Sequence, residues 1–284
     1  MSAPVERRSL PTSIIVSLSL DDGGRLYSAI CRRTVRGSTT YTAPATQYGI
    51  SRPMTRILAY LRESVTSLGL ANGLLATFAR SLDRASGGRC RLFKYYFVAQ
   101  PVPSDRLVAV DKPSKTRIYR ASADDSIIQQ FPRPTPNIAR RFTDGAVCHV
   151  AVRRDKLVGF IWIKLDSYQE DEVRCHYVLR PSTQLAWDFD AYVAPEFRMS
   201  RAFSQLWQAA NGHLRDLGRR WTISRISAFN AESLRSHQRL GLTHLHTGYF
   251  LVLGRVQVSA FSCRPYVHVA TGRSHGPELV LTAP

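Results

Sequence analysis

The stretch WDFDAYVAPEFRMSRAFSQLWQAANGHLRDLGRRWTISRISAFNAESLRSHQRLG, Trp187 to Gly241, decides the fold. It opens inside a strand beginning near Gln184. There Trp187, Phe189 and Ala191 alternate with Asp188, Asp190 and Tyr192, so period-two geometry predicts that the two carboxylates share a face. Pro195 stops the strand. Ser200 can cap a helix whose apolar stripe is Phe203, Leu206, Trp207, Ala210, Leu214 and Leu217, and Gly218 is a natural end. Thr222 to Ser227 reads as a second strand, and Ala231 to Leu240 as a second helix closed by Gly241. A strand running through a tight loop into a helix N-terminus offers free backbone N–H groups and a positive dipole end, a setting suited to a pyrophosphate. Val193 to Ser204 has that order.

Outward from this unit the pattern stays mixed. Arg91 to Gln100 is an aromatic-rich strand, Ala146 to Val152 and Leu157 to Leu165 form a hairpin, and Val173 to Leu179 continues an antiparallel meander. Gln129 to Arg141, with Pro132, Pro134 and Pro136, is a rigid loop leading into a short helix at Asn137. Tyr249 to Leu253 and Val256 to Phe261 are later strands. From Pro53, the spacing of Ile57, Leu58, Leu61, Val65, Leu68, Leu74, Leu75, Phe78 and Leu82 predicts a helical pair, with Gly69 and Gly73 marking the break. The expected organisation is a weakly ordered basic arm over 1–50, a helical extension over 51–86 and the mixed domain over 87–284.

Composition narrows the function classes. Hydrophobic residues are 44% and charged residues 21%, and no apolar run is long enough to span a membrane. The net charge of +18 invites an acidic or phosphorylated partner. Only Lys94, Lys112, Lys115, Lys156 and Lys164 are lysines, and the arginines are scattered without a block of like charge, which argues against nucleic acid as the principal ligand. Cys31, Cys90, Cys148, Cys175 and Cys263 are odd in number and form no C-x-x-C, which predicts a reducing cytoplasm and neither a disulfide framework nor zinc. The dipeptides Cys148-His149 and Cys175-His176 cannot converge on one metal, because adjacent strand residues face opposite ways. His244 and His246 share a strand face but lack a third ligand. Glu170, Asp171 and Glu172 form an acidic hairpin tip, either a solvated turn or a lure for an amine.

At the strand-loop-helix junction the window Val193-Ala-Pro-Glu-Phe-Arg198-Met-Ser-Arg201-Ala-Phe203 resembles the R-x-x-G-x-G/A signature of the GNAT (GCN5-related N-acetyltransferase) superfamily. Arg198 falls on the first position, whereas Arg201 and Phe203 replace the small residues. The resemblance recurs in the second unit, where Asn230, Ser233, His237, Leu240 and Gly241 match N-x-x-A/S, a Tyr position seven residues after the Asn, and L-G-F, with Leu242 for Phe. It covers about Ala146 to Gly254. It implies a GNAT-like α/β fold with a mixed, mostly antiparallel central sheet flanked by helices.

The resemblance also implies an acyltransferase that moves an acetyl or other acyl group from acetyl-CoA or another acyl-CoA to an amine by direct attack, without a metal. Two central strands would splay to admit pantetheine. Ala191 and Val193 would bind the thioester arm through backbone N–H groups, while Arg198, Ser200, Arg201, Asn230 and Ser233 would hold the donor. Asp188 or Asp190 would assist deprotonation, with Asp188 preferred. His237, where the family carries a Tyr, would protonate the leaving thiolate or serve as a half-buried structural histidine. An acidic acyl-carrier protein is an alternative donor, consistent with the positive charge and the altered loop. A non-catalytic binding module, for nucleic acid or protein, is the alternative from another class. The acceptor is not legible.

Overall fold

A computed structural model describes residues 18–20, 26–28, 53–104, 115–198, 200–272 and 274–284. The basic arm expected over 1–50 lies outside the described residues, except for a short antiparallel pair, β1 (Leu18–Leu20) and β2 (Leu26–Ser28).

Two helices follow, α1 (Pro53–Leu68) and α2 (Leu70–Ala85). Gly69 alone breaks them, with φ of 79°; Gly73 lies inside α2, where any side chain would strike the backbone of Val65 in α1. The pair is a close-packed hairpin. α2 reaches the next strand, β3 (Cys90–Pro101), through Asn72, which donates to Tyr96 Oη at 2.9 Å and accepts from Lys94 Nζ at 2.8 Å.

Next come β4 (Arg117–Ala121), a 3-10 turn (Ser126–Gln130), α3 (Thr135–Thr143), β5 (Val147–Arg153), β6 (Lys156–Leu165), β7 (Ser167–Gln169), β8 (His176–Leu179) and β9 (Leu185–Val193). After a 3-10 turn (Pro195–Phe197) the chain continues as α4 (Ala202–Asp216), β10 (Trp221–Ser227), α5 (Ala231–Gln238), β11 (Thr243–Leu253), β12 (Val256–Phe261), β13 (Val267–Thr271) and β14 (Glu278–Leu281).

Nine strands form the main sheet in the order β13-β12-β11-β3-β10-β9-β6-β5-β4. Every neighbouring pair is antiparallel except β9 with β10, which the helix α4 connects as a crossover. The expected class, a mixed and mostly antiparallel sheet flanked by helices, is what the chain adopts. On one face, Leu206, Trp207, Ala210 and Leu214 of α4 bury Ala151, Val158, Ile161, Ile163 and Ala186.

The opposite face corrects the expected meander. β7 and β8 do not extend the main sheet; with β14 they make a separate three-stranded sheet, in which β14 runs parallel to β8. Tyr168, Tyr177, Leu179, Leu279 and Leu281 lay this small sheet over Phe93, Tyr95, Phe97, Trp187 and Phe250. The place beside β6 is taken by β9, which pairs with it antiparallel from Gly159 to Leu165. Beside the small sheet, Ile127, Ile128, Phe131 and Ile138 close the same face over Phe160 and Trp162. No helix among the described residues is long and apolar enough to cross a membrane.

Candidate functional site

The parallel pairing of β9 and β10 covers only Leu185–Trp187 against Trp221–Ile223. Beyond it β9 runs on to Val193 and β10 to Ser227 with no pairing between them, so the strands separate into a V. The cause is visible on the other edge of β9. Phe160 pairs with Tyr192 and Trp162 with Phe189, so Asp190 and Ala191 together oppose the single residue Ile161. This is a β-bulge; Asp190 takes φ of 48°, and the extra residue bends β9 away from β10. Gly159 lies opposite Val193, where any side chain would collide with the Tyr192 carbonyl, so β6 follows the bend closely. The resulting narrow cleft, with about 40 Å³ of free volume, is lined by residues 188–191 and 224–227 together with Asn230, Ser233 and His237.

The bulge changes the expected placement of the two carboxylates. Strict alternation puts Asp188 and Asp190 on one face, but the extra residue reverses the parity and they point to opposite faces. Asp188, paired with Ile163, lies on the α4 side and is 2% exposed. Its carboxyl is pushed up to about 7 by burial, with the Thr222 and Ser224 hydroxyls of β10 pulling the other way. Its Oδ2 is buried and unpartnered. Asp190 lies on the Phe189 side and is tied to two arginines. Arg133 Nε donates to its oxygens at 3.0 and 3.1 Å, and Arg141 binds Oδ2. Burial alone would raise the Asp190 carboxyl; Arg133 and Arg141 outweigh it, and the group is held below the usual carboxylate range. A carboxylate so engaged is a poor proton acceptor at neutral pH.

The N-terminus of α5 borders the cleft, and the segment before α4 approaches it through Arg198. The cap expected at Ser200 falls one residue later, at Arg201, which makes no side-chain cap bond; Ser200 Oγ still accepts from Ala202 N at 3.1 Å. Arg201 is exposed, and Arg198 approaches Glu232 of α5 at 3.9 Å. Phe203 turns inward, its ring 6.3 Å from Trp207 and 6.0 Å from His237. Asn230 caps α5, its Oδ1 accepting from Ser233 N at 3.0 Å, and its exposure to the cleft is partial. His237 is 6% exposed, and burial lowers its imidazole. Its Nδ1 sits 2.8 Å from the Ser233 carbonyl, which can only accept, so Nδ1 carries a hydrogen and Nε2 is the basic nitrogen of the neutral ring. Thus Asp188, Asp190, Ala191, Asn230, Ser233 and His237 line the cleft, whereas Val193, Arg198, Ser200 and Arg201 do not.

Sequence reasoning missed the cations that frame this cleft. Arg141 lies 5.0 Å from the Phe189 ring and 5.4 Å from Trp162, and it also reaches Asp171. Arg225 of β10 makes a two-pronged pair with Glu170, at 2.9 and 3.0 Å, and binds Glu172 at 2.9 Å. Glu170 also accepts from Tyr177 Oη, and Glu172 from Tyr95 Oη at 2.7 Å. The acidic tip is therefore not a solvated turn: the Glu170 side chain has 0% exposure and is an internal counter-ion. Its sequence signal was weak, since the partners lie 55 residues apart.

The lower-ranked constellations separate. Cys148 faces the Trp162 side, while His149 faces α4, its ring 5.5 Å from His213. A register shift in β11 separates His244 from His246 and interrupts the alternation that would align them. Among the described residues no group of three or more His, Cys, Asp or Glu is placed to hold a metal ion.

No family model matches the chain, and no curated protein matches it. Solved structures that resemble it include a conserved protein of unknown function from Staphylococcus epidermidis, at 11% identity and a TM-score of 0.43, covering 61% of this chain and 66% of that one. A GCN5-related N-acetyltransferase-like protein from Streptococcus suis matches at 11% identity and a TM-score of 0.41, with the same coverage. An aminoglycoside acetyltransferase from an uncultured soil metagenomic sample matches at 14% identity and 0.33, covering 44% of this chain and 86% of that one. The chain thus spans just under two thirds of the length of the first two.

Proposed function

We propose that this chain is an N-acyltransferase of GNAT type that binds an acyl thioester between β9 and β10 and transfers the acyl group to an amine. One observation carries the reading: the parallel strands part beside a bulge, leaving an open β9 edge next to a buried, unpartnered carboxylate. An open strand edge supplies N–H groups to an extended amide-bearing arm and to the thioester carbonyl, whose oxygen gains negative charge during attack. Ala191 and Val193 belong to that edge.

In this reading Asp188 takes the proton released as the amine attacks, because its affinity is matched to neutral pH; as the C–N bond forms the C–S bond breaks, and the leaving thiolate takes its proton from solvent rather than from the neutral His237. Asp190 holds the bulge in shape through Arg133 and Arg141. His237, neutral and with Nδ1 committed, lines the donor arm and offers Nε2 as an acceptor. Arg198, close to Glu232 of α5, and the exposed Arg201 suit phosphates, and the donor is acetyl-CoA or a related acyl-CoA. The altered loop also suits the single phosphate of an acyl-carrier protein, so both donors belong in the test.

Isothermal titration calorimetry with acetyl-CoA, and with an acylated carrier protein, tests the donor site, and free-thiol release with a panel of amines tests transfer. Saturable binding that weakens in Arg198→Ala supports the reading. Absence of binding by either donor removes it.

A further inference from the structure

Across three neighbouring strands the α4 side of the sheet carries a row of buried polar side chains. Asp188 of β9 sits beside Ser224 of β10, because Trp187 and Ile223 are direct partners one residue earlier. Thr222, two residues before Ser224 and on the same face, pairs directly with Gln100 of β3. Relative exposures are 2% for Asp188, 3% for Ser224, 1% for Thr222 and 3% for Gln100. Five of their side-chain atoms, Asp188 Oδ2, Ser224 Oγ, Thr222 Oγ1, Gln100 Oε1 and Gln100 Nε2, are buried and make no protein hydrogen bond of ordinary length and angle, although the two hydroxyls lie near enough to the Asp188 carboxyl to favour its charged form. Unpartnered groups each cost about 1–3 kcal/mol, and buried polar atoms in native proteins are almost always satisfied, by ordered water where protein groups do not reach. Such a row calls for bridging partners from outside the protein.

We infer that Gln100, Thr222 and Ser224 hold bridging water against Asp188 on the α4 side of the sheet, where β9 and β10 begin to part, and that this hydrated row positions the Asp188 carboxyl and sets its proton affinity. Gln100 can donate and accept at once, and each hydroxyl can turn to suit either form of the carboxyl, so the row serves Asp188 in both of its states. The inference rests on the acyl-transfer reading only for the use of that proton; the ionisation itself is a property of the free protein.

Charged neighbours do not compete for the effect. On β9, Asp190 points to the other face, and on β10, Arg225 is engaged there by Glu170 and Glu172. From α5, His237 lines the same cleft. The buried residues of α4 are Ala202, Leu206, Trp207, Ala210 and Leu214, none of them charged. Ile163 of β6 and Val98 of β3 flank the row and are apolar.

The test is a carbon-13 NMR titration of the aspartate carboxyls in the full chain without any donor, with the Asp188 resonance assigned by its loss in Asp188→Asn. Ser224→Ala and Thr222→Val remove hydroxyls beside the carboxyl and are expected to raise its midpoint by about one pH unit. Gln100→Leu is the decisive variant, because Gln100 on β3 is separated from Asp188 on β9 by the whole of β10 and acts only through bridging water. An upward shift of at least about half a unit supports the inference. A midpoint unchanged from wild type overturns it. If Gln100→Leu does not fold, the unbranched Gln100→Met is used with the same criterion. Failure of acyl transfer would appear as absent thioester binding in calorimetry and leave this titration intact.

Discussion

Asp188 concentrates the chemistry that one residue can carry here. A carboxyl held near 7 by burial ionises across the neutral range, so the transfer rate at saturating donor should rise with pH through about 7. Asp188→Asn should flatten that profile and lower the rate by about 10²-fold or more, as measured by thiol release. The same shift has a stability consequence of opposite sense. The folded carboxyl keeps its proton above the unfolded value of 3.8, so stability falls as pH rises from about 4 to about 7, at roughly 1.4 kcal/mol per pH unit. Urea denaturation at a series of pH values should show this slope in wild type and its loss in Asp188→Asn. From sequence the two carboxylates are nearly equal candidates, with Asp188 slightly preferred, since both flank Phe189. Only the arginines from residues 133 and 141 distinguish them, and nothing near Asp190 in the chain announces those partners.

At the level of elements, β9, α4, β10 and α5 were legible, with ends within a few residues of those observed, because apolar periodicity and the stops at Pro195, Gly218 and Gly241 are local signals. The bulge was not legible. Alternation assumes one residue per partner, and an aspartate at positive φ carries no distinctive pattern. The small sheet escaped for a related reason: β14 joins β8 across about 100 residues, a pairing that no local periodicity encodes. Asn230 shows how an element and a site can share one side chain. Asn230→Ala should cost about 1 kcal/mol of stability through the lost cap, whereas Asn230→Ser keeps the cap and should cost only a few tenths. Should the amide also bind the donor arm, both variants lose donor affinity in calorimetry, and the serine variant isolates that loss from the cap.

Across the whole molecule, Arg225 is the tie between the two sheets. It rises from β10, meets Glu170 and Glu172 in the segment between β7 and β8, and lies 4.5 Å from the Tyr95 ring of β3. Removing only the cation leaves a fully buried carboxylate without its partner, so Arg225→Met should destabilise the chain by about 3–5 kcal/mol in chemical denaturation. A double variant that adds Glu170→Gln should recover part of the loss.

The position of β3 carries a kinetic consequence. This strand precedes all the others of the main sheet in the chain, yet its partners on both sides are β10 and β11, which begin at Trp221 and Thr243. The β4-β5-β6-β9 half can assemble from near neighbours, but β3 finds neither edge until more than a hundred further residues are available. Closure of so long a loop comes before any contact rewards it, which places folding among the slow, high contact-order cases, on a scale of about milliseconds to seconds or longer. Stopped-flow refolding should resolve a fast phase for the local half and a slower one that coincides with burial of Tyr95 and Phe97. The cleft between β9 and β10 would be born in that last phase, as the seam where the late-docking half meets the half already formed.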